Sequence, residues 1–288
     1  MERNMNMTHI FHALAEADMV PVFYEKTGIP LNVLIAYNYK KGQSSKLTDL
    51  YRDRINLLYL DSGAYSVSTG RSNIDVYGYR HYLKTFGFKF DVCFNLDDKF
   101  DNPDHNLQNQ LYLERGLEGS TSRPVPVIHD KINPFGEFEM YAGLGHDYIA
   151  IGSSGSYADK DRLLEQAKLK YPNVKIHLFG DLDKKLLEKH HPYSADSASW
   201  AHKAGKGGGI YYWRSSENRQ YQFNVGGRDS VKGAQHIKLS PFWEEIRSFL
   251  YETFHYEYND LFQYQVRWIL NLYFYNQYEN YLNSLDQN

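Results

Sequence analysis

Leu57-Leu58-Tyr59-Leu60 runs into Asp61-Ser62-Gly63-Ala64-Tyr65, and His190-His191-Pro192-Tyr193-Ser194-Ala195 runs into Asp196-Ser197-Ala198-Ser199-Trp200. A strand that delivers a carboxylate at its C-terminal end is how parallel α/β folds assemble active sites. Strand tips and the loops after them converge there on one solvent-reachable rim. Two such ends, far apart in one chain, predict acid residues gathered from different strands.

Outward from these ends the chain alternates. Short apolar or β-branched runs occupy residues 32–37, 55–60, 90–95, 125–128, 148–151 and 174–179, each of a length suited to a buried parallel strand. Helical patterns lie between them at about 76–85, 104–118, 135–144, 159–170 and 182–190. Asp159 and Asp181 are expected as helix N-caps, Gly87 and Gly145 as helix stops. Strand and helix in alternation predict βαβ units and a parallel sheet. About seven strands are counted by Asp196, and residues 210–213 and 221–225 are candidates for the next. That is the arithmetic of a closed (β/α)8 TIM-like barrel, although an open doubly wound sheet uses the same grammar. No glycine-rich dinucleotide fingerprint follows the first run, which counts against the open cofactor-binding folds.

From Pro241 the character changes. Phe242 to Leu282 contains no glycine or proline, and its aromatics fall at helical spacing, among them Phe249, Trp268, Tyr275 and Tyr278. The expected organisation is a catalytic barrel over 1–240 and aromatic-rich C-terminal helices over 241–288. Those helices would pack on the barrel or, in a homodimer, on a second copy.

At 288 residues one large core is affordable. A formal net charge of −3 excludes a generally basic nucleic-acid coat but leaves room for a local basic groove. The single cysteine, Cys93, excludes an intrachain disulfide and a multi-cysteine zinc site. No signal-like N-terminus and no bilayer-length apolar run are present, so a cytoplasmic protein without a membrane partner is expected. The 26 tyrosines fit an aromatic core, or stacking surfaces for bases.

Taken in order, the strand ends supply Asp61-Ser62-Gly63, then Asn95-Leu96-Asp97-Asp98, His129-Asp130, Gly152-Ser153, Gly180-Asp181 and Asp196-Ser197. Several carboxylates plus glycine turns at one mouth suit a polar heterocycle that must be both hydrogen-bonded and attacked. At most one of the adjacent Asp97 and Asp98 need face that mouth. Asp181 is better read as a helix cap, and His177, alternating along its strand, as core. No ligand spacing supports a metal site, and no cofactor is expected.

These residues resemble the tRNA-guanine transglycosylases. Leu60-Asp61-Ser62-Gly63-Ala64-Tyr65 is similar to that family's Asp-Ser-Gly-Gly-Phe-Gln signature, and Phe94-Asn95-Leu96-Asp97-Asp98 sits where it has a base-recognising aspartate. Ile149-Ala150-Ile151-Gly152-Ser153 resembles its base-binding strand. Leu178-Phe179-Gly180-Asp181, a helix, and Ser194-Ala195-Asp196 resemble its Gly-Val-Gly and nucleophile segments. The resemblance spans roughly Asn32 to Gly209. It implies Asp196 as nucleophile on the anomeric carbon and Asp61 as acid/base. Asp97, Gly152 and Ser153, with Ser62, Gly63 and His129, would then bind the base. A fixed carboxylate stabilises or traps the cationic sugar, and the leaving base takes a proton from a second carboxyl.

The departures carry information. The family's three-cysteine, one-histidine zinc site has no counterpart here, Ala64 and Ser66 replace signature residues, and His129 stands where the family has glutamine. The pattern is closer to the zinc-less enzymes that place deazaguanines in DNA, or to relatives that excise a modified base, in a phage or phage-defence setting. DNA is therefore favoured over tRNA, with a free nucleobase as product or co-substrate. Lys203, Lys206 and Arg214, interleaved with Tyr211, Tyr212 and Trp213, suit a phosphate-tracking groove and serve equally as a solvated loop. The rivals are a catalytically inactive nucleic-acid-binding protein on the same barrel, a tRNA-directed base-exchange enzyme, and an unrelated barrel enzyme acting on a small metabolite.

Overall fold

The computed structural model of the chain describes residues 7–13, 16–37, 42–68, 70, 73–119, 123–152, 155–202, 208–226 and 234–285. The chain divides into two compact units, Met1–Ala17 with Leu31–Asp196, and Asp18–Pro30 with Ser197–Asn288.

The first unit is an α/β fold built on an eight-stranded sheet among the described residues. Its strands are β1 (His9–Ala13), β2 (Leu31–Ala36), β3 (Ile55–Asp61), β4 (Val92–Cys93), β5 (Val127–Ile128), β6 (Tyr148–Ile151), β7 (Lys175–Leu178) and β8 (Ser194–Ser197). The strand order is β4-β3-β2-β1-β8-β7-β6-β5, and the neighbours β1 to β4 and β5 to β8 pair in parallel. A parallel bridge joins Phe94 to Val125, with Asn95 N–H donating to Val125 O and Val125 N–H to Cys93 O, both at 2.9 Å. On one face of the sheet Phe11, Leu34, Tyr59, Phe94, Val125, Val127, Tyr148 and Ala150 form a core cluster. Phe11 stacks on Tyr59 at 3.9 Å, so aromatic rings fill the centre.

Crossover helices connect the strands: α2 (Val76–Phe86), α3 (Pro103–Leu117), α4 (Pro134–Gly143), α5 (Tyr157–Lys170) and α6 (Lys184–His190). The caps follow local chemistry with two corrections. Ser156, not Asp159, caps α5, and Asp159 closes a capping box from the third helical position. Asp183, not Asp181, caps α6 by accepting from Lys185 and Leu186 N–H. Asp181 instead binds the buried Lys160 ammonium at 2.5 Å.

The first strand is one the sequence pattern does not reveal, and the expected last strand lies elsewhere. His9 and His12 interrupt the apolar run of β1, but burial pushes the His12 imidazole down to about 3, so it enters the sheet uncharged. Residues 210–213 and 221–225 do not continue the parallel sheet. β9 (Gly209–Arg214) and β10 (Arg219–Asn224) form an antiparallel pair, extended by β11 (Gln235–His236), in the second unit. That unit also holds α1 (Met19–Thr27), α7 (Trp243–Phe254) and α8 (Tyr264–Leu285). α8 packs on β9, and Phe274 stacks on Tyr211 at 5.1 Å. Among the described residues no helix is long and apolar enough to cross a membrane.

Candidate active site

Strand alternation decides which side chains reach the C-terminal rim of the sheet. The face that carries Tyr59, Val127 and Ala150 into the core cluster is continued two residues later by Asp61, His129 and Gly152. Asp196 follows Ser194 on β8 by the same step. Every candidate from Asp61 to Asp196 therefore belongs to the first unit.

Asp61 ends β3 and leads into a turn in which Gly63 takes φ +84°. A side chain at 63 would strain that left-handed backbone. Burial pushes the Asp61 carboxyl from its ordinary 3.8 up to about 7, and the negative charges of Asp97 and, less strongly, Asp196 add to the rise. The N–H groups of Gly63 and Ser62 pull the other way and do not cancel it. Asp61 thus feels both other carboxylates, which gathers β3, the β4 end and β8 into one electrostatic neighbourhood.

Asp97 is buried, with one side-chain contact on each oxygen. Its Oδ2 pairs with His129 Nε2, and its Oδ1 accepts from the Ser62 hydroxyl at 3.3 Å. His129 is clamped from all sides. Phe100 stacks on its ring at 4.2 Å, and its backbone N–H donates to the buried Glu137 Oε2 at 2.8 Å, an oxygen that also accepts from Asp130 N–H. Gly152 supplies the space for the imidazole. A Cβ there would lie 2.1 Å from His129 Cε1 and 2.2 Å from Nδ1. With Nε2 committed to Asp97, His129 acts as the orienter of a carboxylate. Asp98 is held by His105 and Asn109 at 3.0 Å each.

Asp196 is buried on β8, and its Oδ1 accepts from Gly180 N–H at 2.8 Å. No protein-family model matches the chain, and no curated protein does. Its chemistry has to be read from the residues themselves.

Three carboxylates on one rim, one of them protonated near neutrality, provide a proton donor beside two acceptors. Next to them a cleft of about 540 Å³ opens on the loops after β3, β4 and β5, lined by Val67, Asp98, Lys99, Phe100, Asp130, Lys131 and Ile132 among others. Phe100 joins the two regions, with one face on His129 and a place in the cleft wall. Asp196, across the rim on β8, is not part of that wall. Among the described residues no group of three or more His, Cys, Asp or Glu side chains is placed to hold a metal ion.

Ser62, Gly63, Asp97, His129 and Gly152 come together as one hydrogen-bonded and packed group. Ser153, Lys203 and Lys206 lie outside the described residues. Arg214 is described in the second unit, where Glu217 and Glu245 bind its guanidinium and Phe242 lies under it at 4.0 Å. Its charge is locally matched. Tyr211, Tyr212 and Trp213 are buried, and none of them is presented for base stacking. Sequence reading passed over Glu137 and Phe100, which lie on the helix and loop beside the strand ends. A carboxylate in the first helical turn, at the fourth position after the Asn133 cap, was the available signal for Glu137.

Proposed function

We propose that the chain is an enzyme that cleaves the N-glycosidic bond of a modified nucleobase in DNA, on a closed (β/α)8 barrel. The Phe94–Val125 bridge between the two ends of the strand order supports closure. One observation carries the chemistry: Asp61, raised to about 7, shares a rim with Asp196 and feels its charge.

In this reading the protonated Asp61 gives its proton to the departing base as the C1′–N bond breaks and its electron pair moves to the base. The Asp196 carboxylate bonds to C1′ and holds the sugar as an ester. Asp61, now ionised, takes a proton from water, whose oxygen displaces Asp196 and leaves an abasic site. Alternatively it deprotonates an incoming deazaguanine, whose nitrogen displaces Asp196 and completes an exchange. Asp97, oriented by His129 and Ser62, binds the base edge, and the adjoining cleft accepts what surrounds it. A base inside a duplex must be flipped out to reach this rim.

The test is incubation of the protein with plain and hypermodified DNA, with mass spectrometry for released or exchanged bases. Free base with abasic DNA is expected, or incorporation of a supplied deazaguanine, and Asp196→Ala abolishes either product. DNA binding with no base release by the wild type selects the inactive binding protein. Product from tRNA alone selects the tRNA enzyme, and no salt-dependent affinity for nucleic acid removes the whole class.

A further inference from the structure

Under Asp196 lies a buried polar chain that the proposed chemistry does not use. His177, on β7, is fully buried, with the rings of Phe94 and Phe179 at 4.9 and 4.5 Å. Its Nδ1 is 2.6 Å from Ser194 Oγ, which is 2.5 Å from the Tyr148 hydroxyl, itself 3.5 Å from that of Tyr59. Its Nε2 has no hydrogen-bond partner among the described residues and lies 3.4 Å from Asp196 Oδ1. Parallel register makes this chain, because β6, β7 and β8 set Ala150, His177 and Ser194 side by side.

An imidazole in an aromatic cage, with one nitrogen satisfied and the other turned to a carboxylate, is costly to bury without a purpose. The order of its hydrogens follows from chemistry. An ionised carboxylate only accepts, whereas hydroxyls both donate and accept. With Asp196 accepting from Nε2–H, Nδ1 accepts from Ser194 O–H. Ser194 accepts from the Tyr148 O–H at 2.5 Å once that hydrogen turns from its longer, 3.5 Å contact with Tyr59. Nε2, 3.4 Å from Asp196 Oδ1, is short of a hydrogen bond in this structure. The hydroxyls set the tautomer of the ring.

We infer that His177 is a positioning residue for Asp196, and that Ser194 and Tyr148 hold its tautomer. This rests on the reading of Asp196 as nucleophile. Gly180 N–H and His177 Nε2–H together pin Oδ1 and leave Oδ2 as the oxygen presented to C1′. The 3.4 Å separation shortens to a hydrogen bond when the sugar is gripped, as active-site contacts commonly do.

The experiment compares His177→Phe, which keeps a ring but no donor, with His177→Gln, which keeps an N–H, and with Ser194→Ala, which keeps the imidazole. Base release by His177→Phe should fall in kcat by about ten- to a hundredfold at unchanged KM, and His177→Gln should recover most of that loss. Nitrogen-15 NMR of histidine-labelled wild type should show the Nε2–H tautomer for His177. Its resonances should move in Asp196→Asn, and Ser194→Ala should mix the tautomers. Equal loss in Phe and Gln variants, a loss carried by KM, or an Nδ1–H tautomer overturns the inference. If the wild type releases no base from any DNA, the proposed function fails, and the NMR arm alone decides whether His177 donates to Asp196.

Discussion

Asp61→Asn separates two consequences of one carboxyl. In the folded chain Asp61 keeps its proton to about pH 7, whereas an unfolded chain releases it near 3.8. The contribution of this group to stability is therefore full below 3.8 and is lost as the pH rises through about 7. A shift of that size sets an upper limit of roughly 4 kcal/mol. Asp61 keeps partial solvent contact at the rim, and screening there reduces the figure to about 2 kcal/mol. Asparagine never ionises, and its amide oxygen still accepts from Ser62 and Gly63 N–H. The variant should match the wild type at about pH 3, below the unfolded value of 3.8, and melt about 4–8 °C above it at pH 8.5, by calorimetry across that range. Base release by the wild type should decline as the pH rises through about 7. In the variant it should fall by about 10²–10⁴-fold. A melting difference that is independent of pH, or a variant less stable than wild type at pH 8.5, refutes the argument that Asp61 is held protonated by burial and by Asp97.

Two further substitutions probe the frame around the site and the second unit. Gly152→Ala places a Cβ about 2.1 Å from a His129 ring already covered by Phe100, so the ring must leave Asp97. A loss of about 1–3 kcal/mol in denaturant unfolding and a drop in base release are expected, and normal activity would show that the His129–Asp97 pair is dispensable. Asn271, fully buried, accepts from Tyr211 N–H at 2.8 Å and donates to Trp200 O and Gly209 O at 3.1 and 3.4 Å. Asn271→Ala removes these three hydrogen bonds to the backbone and should cost about 3 kcal/mol or more by urea unfolding, with the pH dependence of base release unchanged.

Legibility in the sequence followed the range of the forces involved. β3 and β6 were readable to within a residue, because buried parallel strands are apolar on both faces and stand out locally. β1 was not, because two histidines break its pattern and only neighbouring strands make them tolerable. The helix caps were read three residues late at Ser156 and two residues early at Asp183, where several cap-forming residues compete and only geometry chooses. The aromatic run at 211–213 looked like a stacking surface because composition cannot tell a ring facing solvent from one facing α8.

What the chain determined by itself was position. Apolar runs ending in Asp61 and Asp196, with period-two alternation, are local properties, and they place both acids at strand tips on one face. The tertiary structure decided the chemistry. The protonation of Asp61 depends on Asp97 and Asp196, the orientation of Asp97 on His129 and Ser62, and the room for His129 on a missing Cβ at Gly152. Those partners come from five different strand ends, and Coulomb and steric forces between them act through space, with no trace in any stretch of neighbouring residues.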